Sequence, residues 1–302
     1  MKNILFLNHN QKQCGVYQDG LRHMNAIKNS QRYNFIYEEI GSLEDHNMYI
    51  KRHNPMAIIY NYHPATTPFL NQSIFNEQRL TRKTILIYHE GYWADFDYYI
   101  HFDPTFVENT RNFKVGRCLF PYNKPVINPI IPTIGSFGFP TRVKKLDEIV
   151  KKVNEEFDEA VIRFRMSKFG GSINQFYNNL NQYITKPKIK LEIYHDFVGT
   201  EEVLDFLAGN SINVFWYTPR DPNLSVSGAV DYALSVKKPI AISDSSMFKH
   251  INTVSPSIVI SPNNSFRTIM NNGFTPLMPY FEKWTYENLT KEYETIFDRI
   301  LV

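Results

Sequence analysis

Four loops that follow apolar runs carry groups able to handle protons, hydroxyls or phosphate. His89 and Glu90 close the run ILIYHE. An imidazole at the end of a buried strand can take a proton from a substrate hydroxyl or hydrogen-bond it, since its ordinary pKa lies near neutrality; it can equally cap the following turn. In IGSFGFPTRVKKLDEIVKKV, Arg142, Lys144 and Lys145 head a predicted helix. Cations oppose the positive end of a helix dipole unless an anion lies between them, which points to phosphate. In SVSGAV, Ser225, Ser227 and Gly228 lead into another helix, where unpaired backbone N–H groups can hold an anion or the turn can serve as a simple cap. The loop NHNQKQCGVYQDG holds Gly15, which lets the backbone approach a ligand or merely makes a turn. Asp95 and Asp97 form a D-x-D pair of the kind that binds divalent metal. Lying among aromatics with no further acidic cluster, the pair reads as structural, and no metal site is expected.

The elements that must position these loops come in two series. Apolar runs at Ile4 to Leu7, Tyr33 to Tyr37, Ala57 to Tyr60, Thr84 to Tyr88 and Tyr98 to Phe102 read as strands. Polar or helical stretches separate them, among them a helix carrying Val16, Leu21, Met24 and Ile27. FPYNKPVINPIIP then reads as a stiff linker with the domain boundary in it. The pattern restarts with strands at Thr133 to Phe137, Ala160 to Phe164, Ile189 to Tyr194, Ile212 to Trp216, Ile240 to Ser243 and Ser257 to Ile260. Helices are predicted over Arg142 to Glu156, Glu201 to Ala208, Ser227 to Val236, Ser265 to Asn271 and Thr285 to Leu301. Alternation of this kind predicts α/β architecture: two doubly wound, Rossmann-like domains facing each other across a cleft, with ligands at the carboxyl ends of the strands. The expected division is 1–128, 129–282 and a C-terminal helix over 283–302.

Composition bounds the function. The chain has 302 residues, 43% of them hydrophobic, and a formal net charge of only +3 with no long basic block, so no nucleic-acid partner is expected. Cys14 and Cys118 alone make neither a disulfide framework nor a zinc site, which fits a reducing compartment. The apolar start is too short for a signal peptide and no run reaches the length of a membrane span, so the expectation is a cytoplasmic protein without a transmembrane segment.

Taken in order, CGVYQDGLRHMNAI, YHEGYW, IGSFGFPTRVKKLDEIVKKV, LAGNSINVFWY and SVSGAVDYALSVKKPIAISDSSMFKHI resemble the GT-B glycosyltransferases, particularly the family-4-like group. The resemblance implies transfer of a sugar from a nucleotide-diphosphate donor to a glycan or other hydroxyl acceptor, with no cofactor besides that co-substrate. It also implies that the C-terminal helix returns to the first domain. His89 would be catalytic, Arg142, Lys144, Ser227 and Gly228 would bind the donor diphosphate, and Gly15, Glu90, Tyr217 and Asp231 would line the cleft. Where the family commonly has a ribose-binding Glu this chain has Tyr232, with Asp231 adjacent as the candidate substitute, and in ALSVKKP Lys237 replaces the family's small Gly. That departure motivates the alternative of a non-catalytic nucleotide- or sugar-binding protein.

Overall fold

The computed structural model describes residues 1–89, 91, 94–141, 143–167, 179–219, 221 and 225–301. The chain divides into two compact units: Met1–Cys118 with Asn223–Val226 and Lys283–Val302, and Leu119–Pro222 with Ser227–Glu282.

The first unit runs β1 (Lys2–His9), α1 (Gly15–Ile27), β2 (Tyr33–Ile40), α2 (Leu43–His53), β3 (Ala57–Tyr60), α3 (Gln72–Arg79), β4 (Lys83–Tyr88), β5 (Tyr98–His101) and β6 (Asn112–Lys114). The six strands form one parallel sheet in the order β2-β1-β3-β4-β5-β6. Because side chains alternate across a strand, the apolar run of β1 supplies both faces. Ile4 and Phe6 join a core with Met24 and Ile27 of α1 and with Leu289, Tyr293 and Phe297 of the C-terminal helix Tyr286–Ile300. Leu5 and Leu7 join the opposite core with Ile50, Tyr60, Phe75 and Phe96. The C-terminal helix therefore belongs to the first unit, as the resemblance implies.

The second unit runs β7 (Thr133–Phe137), α4 (Leu146–Glu156), β8 (Glu159–Arg165), β9 (Lys188–Tyr194), α5 (Thr200–Ala208), β10 (Ile212–Phe215), α6 (Ala229–Ser235), β11 (Ile240–Ile242) and α7 (Phe266–Asn272). Its five parallel strands are ordered β11-β10-β7-β8-β9. The proline-rich segment holds to this unit: Phe120 N–H donates to Ser235 Oγ at 2.8 Å, Lys124 Nζ to Asp205 Oδ2 at 2.7 Å, and Lys238 Nζ to Asn128 Oδ1 at 2.7 Å.

Three expectations need correction. The helix expected from Arg142 begins at Leu146, because the backbone of 143–145 is bonded instead to 216–218: Lys145 N–H donates to Trp216 O at 2.7 Å and Thr218 N–H to Val143 O at 2.8 Å. The helix expected from Ser227 begins at Ala229 with Gly228 as its N-cap, since Ser227 N–H is bonded to Met247 O at 2.9 Å. The strand expected over Ser257 to Ile260 is a single bridge, Val259 to Ile242. Its partner β11 is only three residues long, and the bridge falls on its last residue.

Candidate functional site

An open parallel sheet has one natural ligand position, the crevice at the carboxyl ends of the strands where successive connections turn to opposite sides. In the first sheet that point lies between β1 and β3, and in the second between β7 and β10. Both points are furnished with polar side chains.

In the first unit, Asn8 of β1 and Asn61, which follows β3, are both buried. Asn61 Nδ2 donates to Asn8 Oδ1 at 2.7 Å and to Val16 O at 2.7 Å, and Asn8 Nδ2 donates to Tyr17 O at 3.0 Å. Asn61 Oδ1 then meets His89 Nε2 at 2.5 Å. With both its amide protons directed elsewhere, Asn61 offers only its oxygen to the imidazole. Neutral His89 must therefore carry its proton on Nε2 and present the Nδ1 lone pair. Burial, with His63, Arg117 and His9 adding to it and Asp19 opposing, pushes the His89 pKa down to about 4, so the ring is neutral at pH 7. His9 lies next to this group: Gln11 N–H donates to its Nδ1 at 3.1 Å, which puts its proton on Nε2. That Nε2 is buried with no hydrogen-bond partner among the described residues.

Gly20 of α1 faces this cluster. A Cβ there would overlap Asn61 Nδ2. Helix propensity alone favours Gly20→Ala by about 1 kcal/mol; the overlap with a buried, fully committed amide makes us expect a net loss of about 1–3 kcal/mol instead. Urea denaturation of the variant checks the sign, and a stabilised Gly20→Ala would show that Asn61 is not held as described.

At the second switch point stands Lys144. The side chain is buried, its Nζ donates to the carbonyl of Phe137, the last residue of β7, at 3.3 Å, and it lies 5.4 Å from the ring centroid of Tyr217, just beyond β10. No carboxylate accepts from it among the described residues. Burial alone pushes its pKa down to about 7. Gly138 makes room for the amine: its φ of 126° is strained for a side-chain-bearing residue, and a Cβ would overlap Lys144 Nζ. Ser227 Oγ lies 3.4 Å from Tyr217 Oη, and the backbone of Tyr217 is fixed by Ser243, whose Oγ accepts from its N–H at 2.9 Å and donates to its carbonyl at 2.8 Å. Lys144, Tyr217 and Ser227 thus form one cluster.

The remaining expected residues are placed as follows. Gly15 opens α1 behind Cys14, whose side chain makes no cap bond. Asp231 is wholly buried in α6, with Ser235 Oγ donating to its carbonyl at 2.7 Å. Gly228 has φ −72° and ψ −16°, a conformation open to any residue, so the backbone there does not demand glycine. Arg142 and Glu90 lie outside the described residues. Ser225, read from sequence as part of the same anion-holding turn as Ser227, clusters with the first unit, where its Oγ donates to the carbonyl of His89. Asp95 and Asp97 are engaged by arginine: Arg79 Nη1 reaches Asp95 at 2.8 Å, Arg79 Nε reaches Asp97 at 2.9 Å, and Arg111 Nη2 reaches Asp95 at 2.8 Å. Both carboxylates have structural partners, and among the described residues no group of three or more His, Cys, Asp or Glu could hold a metal. None of the described helices is long and apolar enough to cross a membrane.

Sequence reasoning singled out His89 and Lys144 but missed Asn8, His9 and Asn61. Their one signal was polar residues following a buried strand, as in AIIYNYH.

No family model and no curated protein matches the sequence. Solved structures do match. The apo form of the lipopolysaccharide outer core galactosyltransferase WaaB superposes with TM-score 0.65 at 8% identity, covering 100% of this chain and 99% of that one. Alr3699/HepE from Anabaena, in complex with UDP and glucose, gives 0.67 at 10% identity over 99% and 100% of the two chains. An alpha-glucosyltransferase in complex with UDP-glucose and DNA containing an abasic site gives 0.62 at 11% identity over 100% of each. The chain has the fold of these glycosyltransferases, two parallel-sheet α/β units of GT-B type.

Proposed function

We propose that the protein is a glycosyltransferase that moves a hexose from a nucleoside-diphosphate sugar to a hydroxyl acceptor. The observation that carries this reading is Lys144, a buried amine with no carboxylate partner among the described residues, at the carboxyl ends of β7 and β10. Burying a cation without an anion is costly, and a diphosphate supplies the missing charge. Two of the matched structures hold UDP with glucose or UDP-glucose, which makes a UDP-hexose the first donor to test.

In the reaction the acceptor oxygen bonds to the anomeric carbon as the bond from that carbon to the phosphate oxygen breaks. The hydroxyl proton passes to His89 Nδ1, and the nucleoside diphosphate departs with the bonding electron pair. His89 Nδ1 accepts the hydrogen bond of the attacking hydroxyl. Lys144, with Arg142 two positions before it in the sequence, offsets the charge gathering on the departing diphosphate, a role that preorganised cations fill without a divalent metal. Tyr217 and Ser227 supply hydroxyls beside Lys144, Gly15 leaves the start of α1 open to the substrate, and Glu90, Gly228 and Asp231 complete the proposed lining. The acceptor class is left open by the fold, since one matched structure contains DNA; the small net charge of this chain favours a glycan or small hydroxyl compound.

Calorimetric titration with UDP-glucose, UDP-galactose, GDP-mannose and ADP-glucose, followed by assay of free nucleoside diphosphate, tests the proposal. We expect one donor to bind at micromolar to submillimolar concentration and to release its diphosphate slowly in water. Binding without release would favour the non-catalytic alternative, and binding of none would overturn the nucleotide-sugar reading.

A further inference from the structure

The first unit has a cavity of about 350 Å³ between the C-terminal helix, the loop that follows β5 and the end of β6. Lys114, Lys283, Lys291 and Arg299 line it, against the carboxylates of Glu108 and Glu292. The pairing within it is uneven. Lys291 Nζ is held by Glu287 at 2.6 Å, and Arg299 Nη1 lies 3.7 Å from Glu108 with its guanidinium over the Phe113 ring. The side-chain amines of Lys114 and Lys283 make no ion pair or hydrogen bond among the described residues. Glu292 is anchored by Gly116, whose N–H donates to Oε2 at 2.6 Å. Burial raises its pKa, while that N–H and the charges of Lys283 and Lys114 oppose the rise.

Two amines without an ion pair beside a void attract an anion, since the Glu292 charge they act on offsets them only in part. The half-buried Glu292 keeps Oε1 free to accept a hydrogen bond, and disfavours a ligand charged along its whole length. Pro104 and Thr295, which keep exposed surface, add the uncharged part of the wall that a sugar ring can meet. We propose that this cavity binds a sugar phosphomonoester, its phosphate between Lys114 and Lys283 and a sugar hydroxyl donating to Glu292. None of these residues belongs to the proposed transfer machinery, so the proposal does not depend on the function assigned above.

The test is calorimetric titration of the full chain with glucose 6-phosphate, and with glucose, gluconate and inorganic phosphate as controls. Glucose 6-phosphate should bind more tightly than any control. Lys114→Glu and Lys283→Glu should each weaken it about tenfold or more, as expected for loss of a charge-assisted contact, with UDP-glucose affinity unchanged. Glu292→Gln, which can still accept from Gly116, should weaken glucose 6-phosphate but leave inorganic phosphate as it was. A phosphate-capped oligosaccharide distinguishes the sources: binding of the free sugar phosphate alone assigns a metabolite, and equal binding of both assigns a chain end. No binding of glucose 6-phosphate, gluconate binding equally well, or affinity unchanged in both charge reversals would overturn the proposal.

Discussion

His89→Ala is expected to lower sugar transfer about 10²- to 10⁴-fold, the range of a general base or positioned proton acceptor, while leaving UDP-glucose affinity within about twofold. The separation follows from the fold: His89 stands in the first unit, whereas the amine proposed to hold the diphosphate stands in the second. Asn61→Ala should reproduce part of this loss without touching substrate, because it frees His89 Nε2 and lets the proton move to Nδ1, the atom that must accept. Nitrogen-15 NMR of the imidazole reads the tautomer directly. The wild type should show the Nε2–H form alone, and Asn61→Ala a mixture. Because burial holds the His89 pKa at about 4 and not 6.5, transfer should persist as pH falls through 6.5 and decline only toward 4. A rate that halves near pH 6.5, or an Asn61→Ala protein with unchanged tautomer and rate, would remove this pair from the mechanism.

That Asn61 went unseen in the sequence while His89 did not has a physical cause. An imidazole after a buried strand is conspicuous by residue type. An asparagine is an ordinary turn residue until the strand order brings it next to Asn8, 53 positions away. The order β2-β1-β3 is a property of packing with no mark in local composition. Ser225 illustrates the same limit at short range: two residues from Ser227, it clusters with a different unit, since contact and not adjacency decides membership.

The elements themselves were legible wherever burial is continuous. β1, β3, β4 and β10 each carry a short run of buried, mostly apolar residues, and the sequence locates them within a few residues. β6, with only Phe113 buried in Asn-Phe-Lys, carries too little pattern to detect at a sheet edge. α2 buries only His46 and Ile50 along LEDHNMYIKRH, so hydrophobic periodicity is weak, yet its ends are explicit. Ser42 accepts from Asp45 N–H at 3.1 Å, Glu44 and Asp45 occupy the first turn, Lys51 to His53 the last, and Asn54 adopts a left-handed φ of 39°. Cap chemistry would have found this helix where periodicity did not.

Lys144→Met should do two opposite things, and the opposition is what identifies the residue. An amine whose pKa falls from 10.5 to about 7 on folding binds fewer protons in the folded than in the unfolded chain throughout that interval. Stability must then rise with pH from 7 to 10.5, and at pH 7 the buried amine is a net cost to the fold. Replacing it with an apolar side chain of similar length removes that cost, so Lys144→Met should unfold at higher urea concentration than wild type at pH 7. Donor binding should move the other way, weakening by about 1.5–3 kcal/mol with loss of the charge-assisted contact. UDP-glucose suits the measurement because its diphosphate does not titrate near neutrality. In the wild type its affinity should be nearly constant below pH 7 and fall about tenfold per pH unit above it, since binding must first protonate the amine. In Lys144→Met the curve should be flat. A variant that is both less stable and unchanged in affinity would make Lys144 a packing residue, and the diphosphate would have to be sought elsewhere in the second unit.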